Sequence, residues 1–305
     1  AHEIGDRPRE YWGRIHLGNS LLELGDIAAF DQETSALEQL GAELCSPQYH
    51  YFPVLRRAMR ALLDGRLEES ERLAFEAFAI GQQMHSEEQA LGILGAQLFT
   101  IRRYQGRLGE LEEAVRAEVD RLPLNPAWRC ALCTVLCSQG RSPEAREAFE
   151  QVATHDFTDL PHDHLYLMCL FQLTETCVYL GDQRRAALLY DLLVPYTHLN
   201  IMIRPGVIVV GSVAHSLGQL ATTMHRWEEA EAHFEAAIAF NTGMGAHPAT
   251  ASTQVAYASM RLERHAPGDP ERADALLSEA AATADALGIV SLEADTQALL
   301  AATNP

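Results

Sequence analysis

Three cysteines, Cys130, Cys133 and Cys137, stand in the pattern Cys-x2-Cys-x3-Cys. Thiolates at such spacings hold zinc or an iron–sulfur cluster when a turn folds them around one ion. Here all three fall in one helical stretch, where their sulfurs do not enclose a metal and cysteine serves as a compact apolar filler. The second concentration of ligating groups is His155, Asp159, His162, Asp163 and His164. Two histidines flanking an aspartate can bind a divalent ion. Helix capping competes with that reading and is the one preferred, because carboxylates at a helix start meet the positive end of its dipole. The chain contains no Gly-x-Ser-x-Gly elbow, no His-Glu-x-x-His and no glycine-rich phosphate loop. The other histidines are scattered, so spacing marks no acid–base pair. On these grounds neither a catalytic residue, a metal site nor a cofactor is expected.

Composition narrows the classes further. The chain has 305 residues, a formal net charge of −19 and 23 basic residues, every one an arginine. An acidic surface repels phosphate backbones, so nucleic acid is not expected as a direct partner. Without lysine, P-loop and Schiff-base chemistry are unavailable. No apolar run approaches the roughly 20 residues of a membrane span, and no secretion signal is visible at the start. Six cysteines in such a chain suggest reduced thiols and a cytoplasmic location.

The elements that must position any site are written in a repeat. A Gly-Asp or Gly-Arg turn recurs at Asp26, Arg66, Arg107, Arg141 and Asp182, again as His225-Arg226, and loosely at Asp269. The anchors are 40, 41, 34, 41, 44 and 43 residues apart. A near-fixed period of this size marks a solenoid of stacked helix pairs, in which no repeat buries its apolar face alone. With the turn residue as position 16, the first helix carries Leu at 7 and a small residue at 8. The second carries small, bulky and small residues at 20, 24 and 27. Small residues let two axes approach, and the larger ones fill the space toward the next repeat. In the sixth repeat this places Gly218 against Ala230. The β-branched run Val207–Val210 leads straight into that repeat and is read as its helix start. The fold expected is all-α: one domain over residues 1–305, with about seven antiparallel helix pairs. The opening residues Ala1–Asp6 read as the end of a preceding helix, as if the segment belonged to a longer repeat protein.

These residues resemble the tetratricopeptide repeat in a long form of about 40 residues. Leu24-Gly25-Asp26 through Phe30, Ala58 through Arg66, and Arg226 through Phe234 are similar to the C-terminal arrays of bacterial signalling ATPases of the maltose-operon-activator type and of nucleotide cyclases. The resemblance covers nearly the whole chain and implies a right-handed superhelix acting as a non-catalytic regulatory domain. It further implies that positions 2, 5, 9, 12 and 13 point into the concave groove. Position 9 gives Asn19, Met59, Thr100, Thr134, Glu175 and Gln219. Positions 12 and 13 add Arg103, Tyr104, Tyr179, Thr222 and Thr223, and position 5 adds His215. The partners implied are a peptide, another domain of a parent chain, or a small effector, with neither nucleic acid nor membrane. Glu175, Gln219, Arg103 and His215 are expected to be solvent-accessible and to converge on one cavity, so Glu175→Ala or Arg103→Ala should barely affect folding. The rival functions are an enzyme with its active site in the groove and a structural oligomerisation arm. Perturbed ionisable groups in a deep pocket would favour the first, and an apolar outer or terminal patch the second.

Overall fold

The computed structural model describes residues 6–84 and 86–303, so the expectation for Ala1–Gly5 lies outside the described residues. Seven helix pairs follow one another: α1 (Arg7–Glu23) with α2 (Ile27–Leu44), α3 (Pro47–Leu63) with α4 (Leu67–Gln83), α5 (Glu87–Tyr104) with α6 (Glu112–Arg121), and α7 (Pro126–Ser138) with α8 (Ser142–Val152). They continue through α9 (Tyr166–Leu180) with α10 (Gln183–Leu193), α11 (Val213–Thr223) with α12 (Trp227–Gly243), and α13 (His247–Arg264) with α14 (Asp269–Leu287). A fifteenth helix, α15 (Val290–Thr303), packs beyond the last pair. The short spacing after Arg107 is absorbed by α6, only ten residues long.

The turn anchors are helix starts. Asp26 and Asp182 precede α2 and α10, and their carboxylates accept the backbone N–H of Ala29 and Arg185 at 3.0 and 3.1 Å. Arginine at the same place cannot accept. It instead pairs with a glutamate three residues on, as Arg107 Nε does with Glu110 at 2.8 Å and Arg141 Nε with Glu144 at 2.7 Å. Those glutamates lie in the first turn, where the dipole favours negative charge. The residue before each anchor takes the left-handed conformation, and in the sixth repeat a histidine, His225, does so with φ +58°.

The small positions pack as the repeat demands. Ser70, Ala145, Ala186, Ala230 and Ala273 are fully buried, and the Ser70 hydroxyl donates to the carbonyl of Ala58 across the pair at 2.9 Å. Cys130 and Cys133 are buried in α7 as fillers. In the sixth repeat the partner of Gly218 differs from expectation. A Cβ there would lie 2.7 Å from the ring of Phe234, so the glycine makes room for the bulky residue at position 24, one turn beyond Ala230.

The β-branched run is the main departure from the sequence reading. Val207–Val210 does not begin a helix; β2 (Ile208–Ser212) pairs antiparallel with β1 (Asn200–Ile203), and α11 starts only at Val213. Val, Ile and Asn-flanked residues on both sides of Pro205-Gly206 make a hairpin, the turn being set by that dipeptide. The hairpin inserts among the repeats. The Asn200 side-chain N–H donates to the Leu22 carbonyl at 3.1 Å, and Gln97 Nε2 donates to the Val207 carbonyl at 2.9 Å. The Ser212 backbone N–H donates to Asn241 Oδ1 at 2.9 Å. Met202 and Val209 pack with Leu22, Phe30, Met59 and Met244, joining the first two repeats to the sixth.

The array also meets itself directly. A Cβ on Gly25 would sit 2.7 Å from the ring of Phe240 in α12, and one on Gly65 would sit 2.6 Å from Leu287 in α14. Both glycines have positive φ, so the turn conformation and the close approach ask for the same residue. We expect Gly218→Leu to cost about 1–3 kcal/mol by overpacking. Adding Phe234→Ala should return part of that stability in urea denaturation, whereas no recovery would separate the two residues.

Candidate functional site

The helices α5, α7 and α9 and the hairpin line a partly open cavity of about 320 Å³, completed by His215 of α11 and by Ala249 and Ser252 of α13. Its lining follows helical spacing. On α5 the residues are Gly92, Ala96, Phe99, Thr100 and Arg103, and on α9 they are Met168, Phe171, Gln172 and Glu175. Trp128 enters from the first turn of α7, while Val207 and Ile208 of the hairpin form the opposite wall.

Within this largely apolar space the charges are matched. Arg103 binds Glu175 through both terminal nitrogens, Nη1 donating to Oε2 at 2.7 Å and Nη2 donating to Oε1. Its guanidinium lies 5.3 Å from the centre of the Phe171 ring. Burial opposes the charge on Arg103, but Glu175 outweighs it and holds the group firmly protonated. Burial, with the Arg103 charge adding to it, pushes His215 down to about 4, and its Nδ1 has no hydrogen-bond partner. Burial likewise raises the Tyr104 hydroxyl. At neutral pH the cavity therefore presents one closed ion pair and a neutral imidazole.

Five of the groove residues expected from sequence come together here: Thr100, Arg103, Tyr104, Glu175 and His215. Gln219, Thr222 and Thr223 instead line a second recess of about 320 Å³ beside His225 and Glu263, so the expected convergence of Gln219 with Arg103 does not occur. Met59 is buried under the hairpin, among Met202 and Val209. Asn19 and Thr134 are also buried, the Thr134 hydroxyl donating to its own helix at the Cys130 carbonyl. Tyr179 is exposed and bonded to Ser142 at 2.7 Å, at the start of α8. The expectation that Glu175 and Arg103 are free polar groups also changes, because each is the other's partner.

Of the histidine cluster, only His164 reaches the cavity. His155 pairs with Asp159, His162 stacks on Tyr166 at 4.2 Å, and Asp163 accepts the Leu165 N–H at 2.8 Å just before α9. Neither aspartate therefore caps α9, whose start carries no side-chain cap; Asp163 bonds the N–H just outside the helix. No group of three or more His, Cys, Asp or Glu side chains is placed to hold a metal among the described residues. Two thiols of the α7 cluster are held protonated and poorly reactive: burial pushes Cys133 up to about 12 and Cys137 up to about 11.

Sequence reasoning missed Trp128 on α7, and also Phe99, Phe171 and Gln172, although the three- and four-residue spacing of those three from Arg103 or Glu175 carried the signal on α5 and α9. It also missed Arg56, which is fully buried in α3. One of its N–H groups donates to the Ile15 carbonyl at 2.9 Å, its guanidinium lies 4.9 Å from the centre of the Phe30 ring, and Nε and Nη1 have no partner. No carboxylate pairs with it, and burial lowers it to about 10. Gly18 makes the space, since a Cβ there would lie 2.5 Å from the guanidinium.

No family model matches the chain, and no curated protein matches it significantly.

Two outcomes follow from the site's electrostatics. Glu175→Ala leaves Arg103 without its partner and should cost about 1–3 kcal/mol, while Arg103→Met with Glu175→Leu should recover most of it, read by chemical denaturation. His215 takes a proton near 6.5 when unfolded but near 4 when folded. Acid therefore favours the unfolded chain between those values, and the effect is absent above 6.5. The melting temperature of the parent protein should fall more steeply across that window than that of His215→Gln; parallel curves would refute the assignment.

Proposed function

We propose that this chain is a tetratricopeptide-like regulatory domain of a cytoplasmic bacterial signalling protein, and that it binds a small effector in the cavity beside the hairpin. The observation that carries the reading is the hairpin. It packs against α1, α3, α5, α9, α12 and α13, taking up room inside the array that an extended peptide or a partner domain would otherwise use, and borders a space of about 320 Å³. That volume is at the lower end of small-molecule sites. The same hairpin is bonded to α1, α5 and α12, so a ligand touching Val207 and Ile208 acts on the link between distant repeats. A ligand with different affinity for two arrangements of that link would shift their populations and pass the signal to a parent domain.

A deep pocket with perturbed ionisable groups is also the feature that would mark an enzyme. Here the perturbations run toward inertness. A general base works best with a pKa near the working pH, and His215 is held well below it, Arg103 is held protonated, and the Tyr104 hydroxyl is raised. The cavity lining contains no cysteine. Binding is the function these groups suit.

Gly95 lines the cavity, and a Cβ at this position meets nothing within 4 Å. Gly95→Leu should fill the space and, by removing a glycine from the interior of α5, leave the protein at least as stable. In a thermal-shift screen of a small-molecule library, compounds that stabilise the parent protein should lose their effect on Gly95→Leu. They should keep it on Gly243→Leu, a control at an exposed open position of α12. Hits that act equally on both variants would place binding elsewhere.

A further inference from the structure

The charge arrangement of the cavity restricts what it can hold. An anion entering it would look for Arg103, but both terminal nitrogens of that guanidinium are engaged by Glu175. An incoming carboxylate or phosphate therefore meets a cation already matched by a carboxylate. The other arginine at the cavity wall, Arg204 in the hairpin turn, is taken by Glu23, with Nε donating to Oε1 at 2.9 Å. A cation faces the converse problem. It would have to draw Glu175 away from Arg103 and leave the guanidinium over Phe171 without its counter-charge. Splitting such a part-buried pair leaves a charge without its partner.

Beside polar Thr100, Gln172, Ser252 and His164, most of the wall is apolar and aromatic, supplied by Phe99, Trp128, Phe171, Val207 and Ile208. The His215 ring lines the cavity; its Nδ1 is closed off and has no hydrogen-bond partner, so the ring meets a ligand through its other edge. A neutral imidazole carries a donor on one nitrogen and an acceptor on the other, so it can meet a ligand hydroxyl, carbonyl or N–H without any change of charge. The space, about 320 Å³ and at the lower end of small-molecule sites, suits a one- or two-ring compound.

We propose that the cavity selects an uncharged ring compound bearing a hydrogen-bonding group, its rings held by Phe99, Trp128 and Phe171 and its polar group met by His215. This rests on the effector-binding reading above and narrows it to a chemical class.

Four probes of one shape test it: 2-naphthol, naphthalene, 2-naphthoate and 2-naphthylmethylamine, titrated at neutral pH into the parent protein, Gly95→Leu and His215→Phe. The expected result is that 2-naphthol binds the parent protein and is lost in Gly95→Leu. The anion and the cation should bind at least about tenfold more weakly. His215→Phe should weaken 2-naphthol by about tenfold, one hydrogen bond's worth, and leave naphthalene unchanged. If His215→Phe does not fold, His215→Gln takes its place and should retain the preference for 2-naphthol over naphthalene through its amide. Charged probes binding as well as 2-naphthol, with all lost in Gly95→Leu, would overturn the uncharged class and leave the cavity as a binding site. Equal binding of 2-naphthol to the parent protein and Gly95→Leu, or to neither, would overturn the cavity reading and the class with it. Equal loss of 2-naphthol and naphthalene in His215→Phe would remove His215 from recognition.

Discussion

A two-stranded β-hairpin buried among helices is the constraint on which the rest of this structure turns. Helices satisfy their own backbone groups, but an isolated ladder has two open edges, and each polar group left bare there is costly. Side chains from distant repeats answer part of that demand. Gln97 of α5 reaches the Val207 carbonyl, and Asn241 of α12 accepts from Ser212. Asn200, within the hairpin, returns a bond to the carbonyl of Leu22. These contacts span 110, 29 and 178 residues of sequence. The hairpin is consequently both the floor of the cavity and the point where local repeat packing becomes global architecture.

The cavity exists because that floor is apolar while the surrounding helices bring their own charges already neutralised. Arg103 and Glu175 come from α5 and α9, two repeats apart, and their pairing fixes the distance between those walls. Arg56 shows the opposite treatment of a buried cation. It has a carbonyl and an aromatic face and no carboxylate, in a pocket cleared by Gly18. Buried charges are ordinarily paired, and the structure gives no physical account of why arginine stands there.

Legibility in the sequence followed the range of the interactions. The turns, the helix starts and the small-residue positions depend on contacts within a repeat, and Asp26, Asp182, Ala186 and Ala230 all sit as the 40-residue frame requires. The groove was readable only where nothing else covered it. Thr100, Arg103, Tyr104, Glu175 and His215 share the cavity, but Met59 has the same repeat position as Thr100 and lies beneath the hairpin. No periodic rule anticipates an inserted element. The insertion did leave a local sign in its β-branched residues around Pro205-Gly206, which helical expectation on both sides overrode. Gly218 was placed correctly at a close approach, though the atom it yields to is the Phe234 ring rather than Ala230, a difference of one helical turn.

The meeting of early and late repeats at Gly25 with Phe240 and at Gly65 with Leu287 changes the thermodynamic character of the array. An open solenoid behaves as a one-dimensional chain: its stability is close to a sum over repeats and neighbouring interfaces, its ends fray, and repeats can be added or removed. Joining the ends makes that chain a loop. A repeat inserted or deleted anywhere would displace every later helix by one position and break the end-to-end contacts, so repeat number is fixed by geometry. Loss of a terminal helix then also removes an interface of the opposite end, and melting becomes a single cooperative event where an open array would unzip.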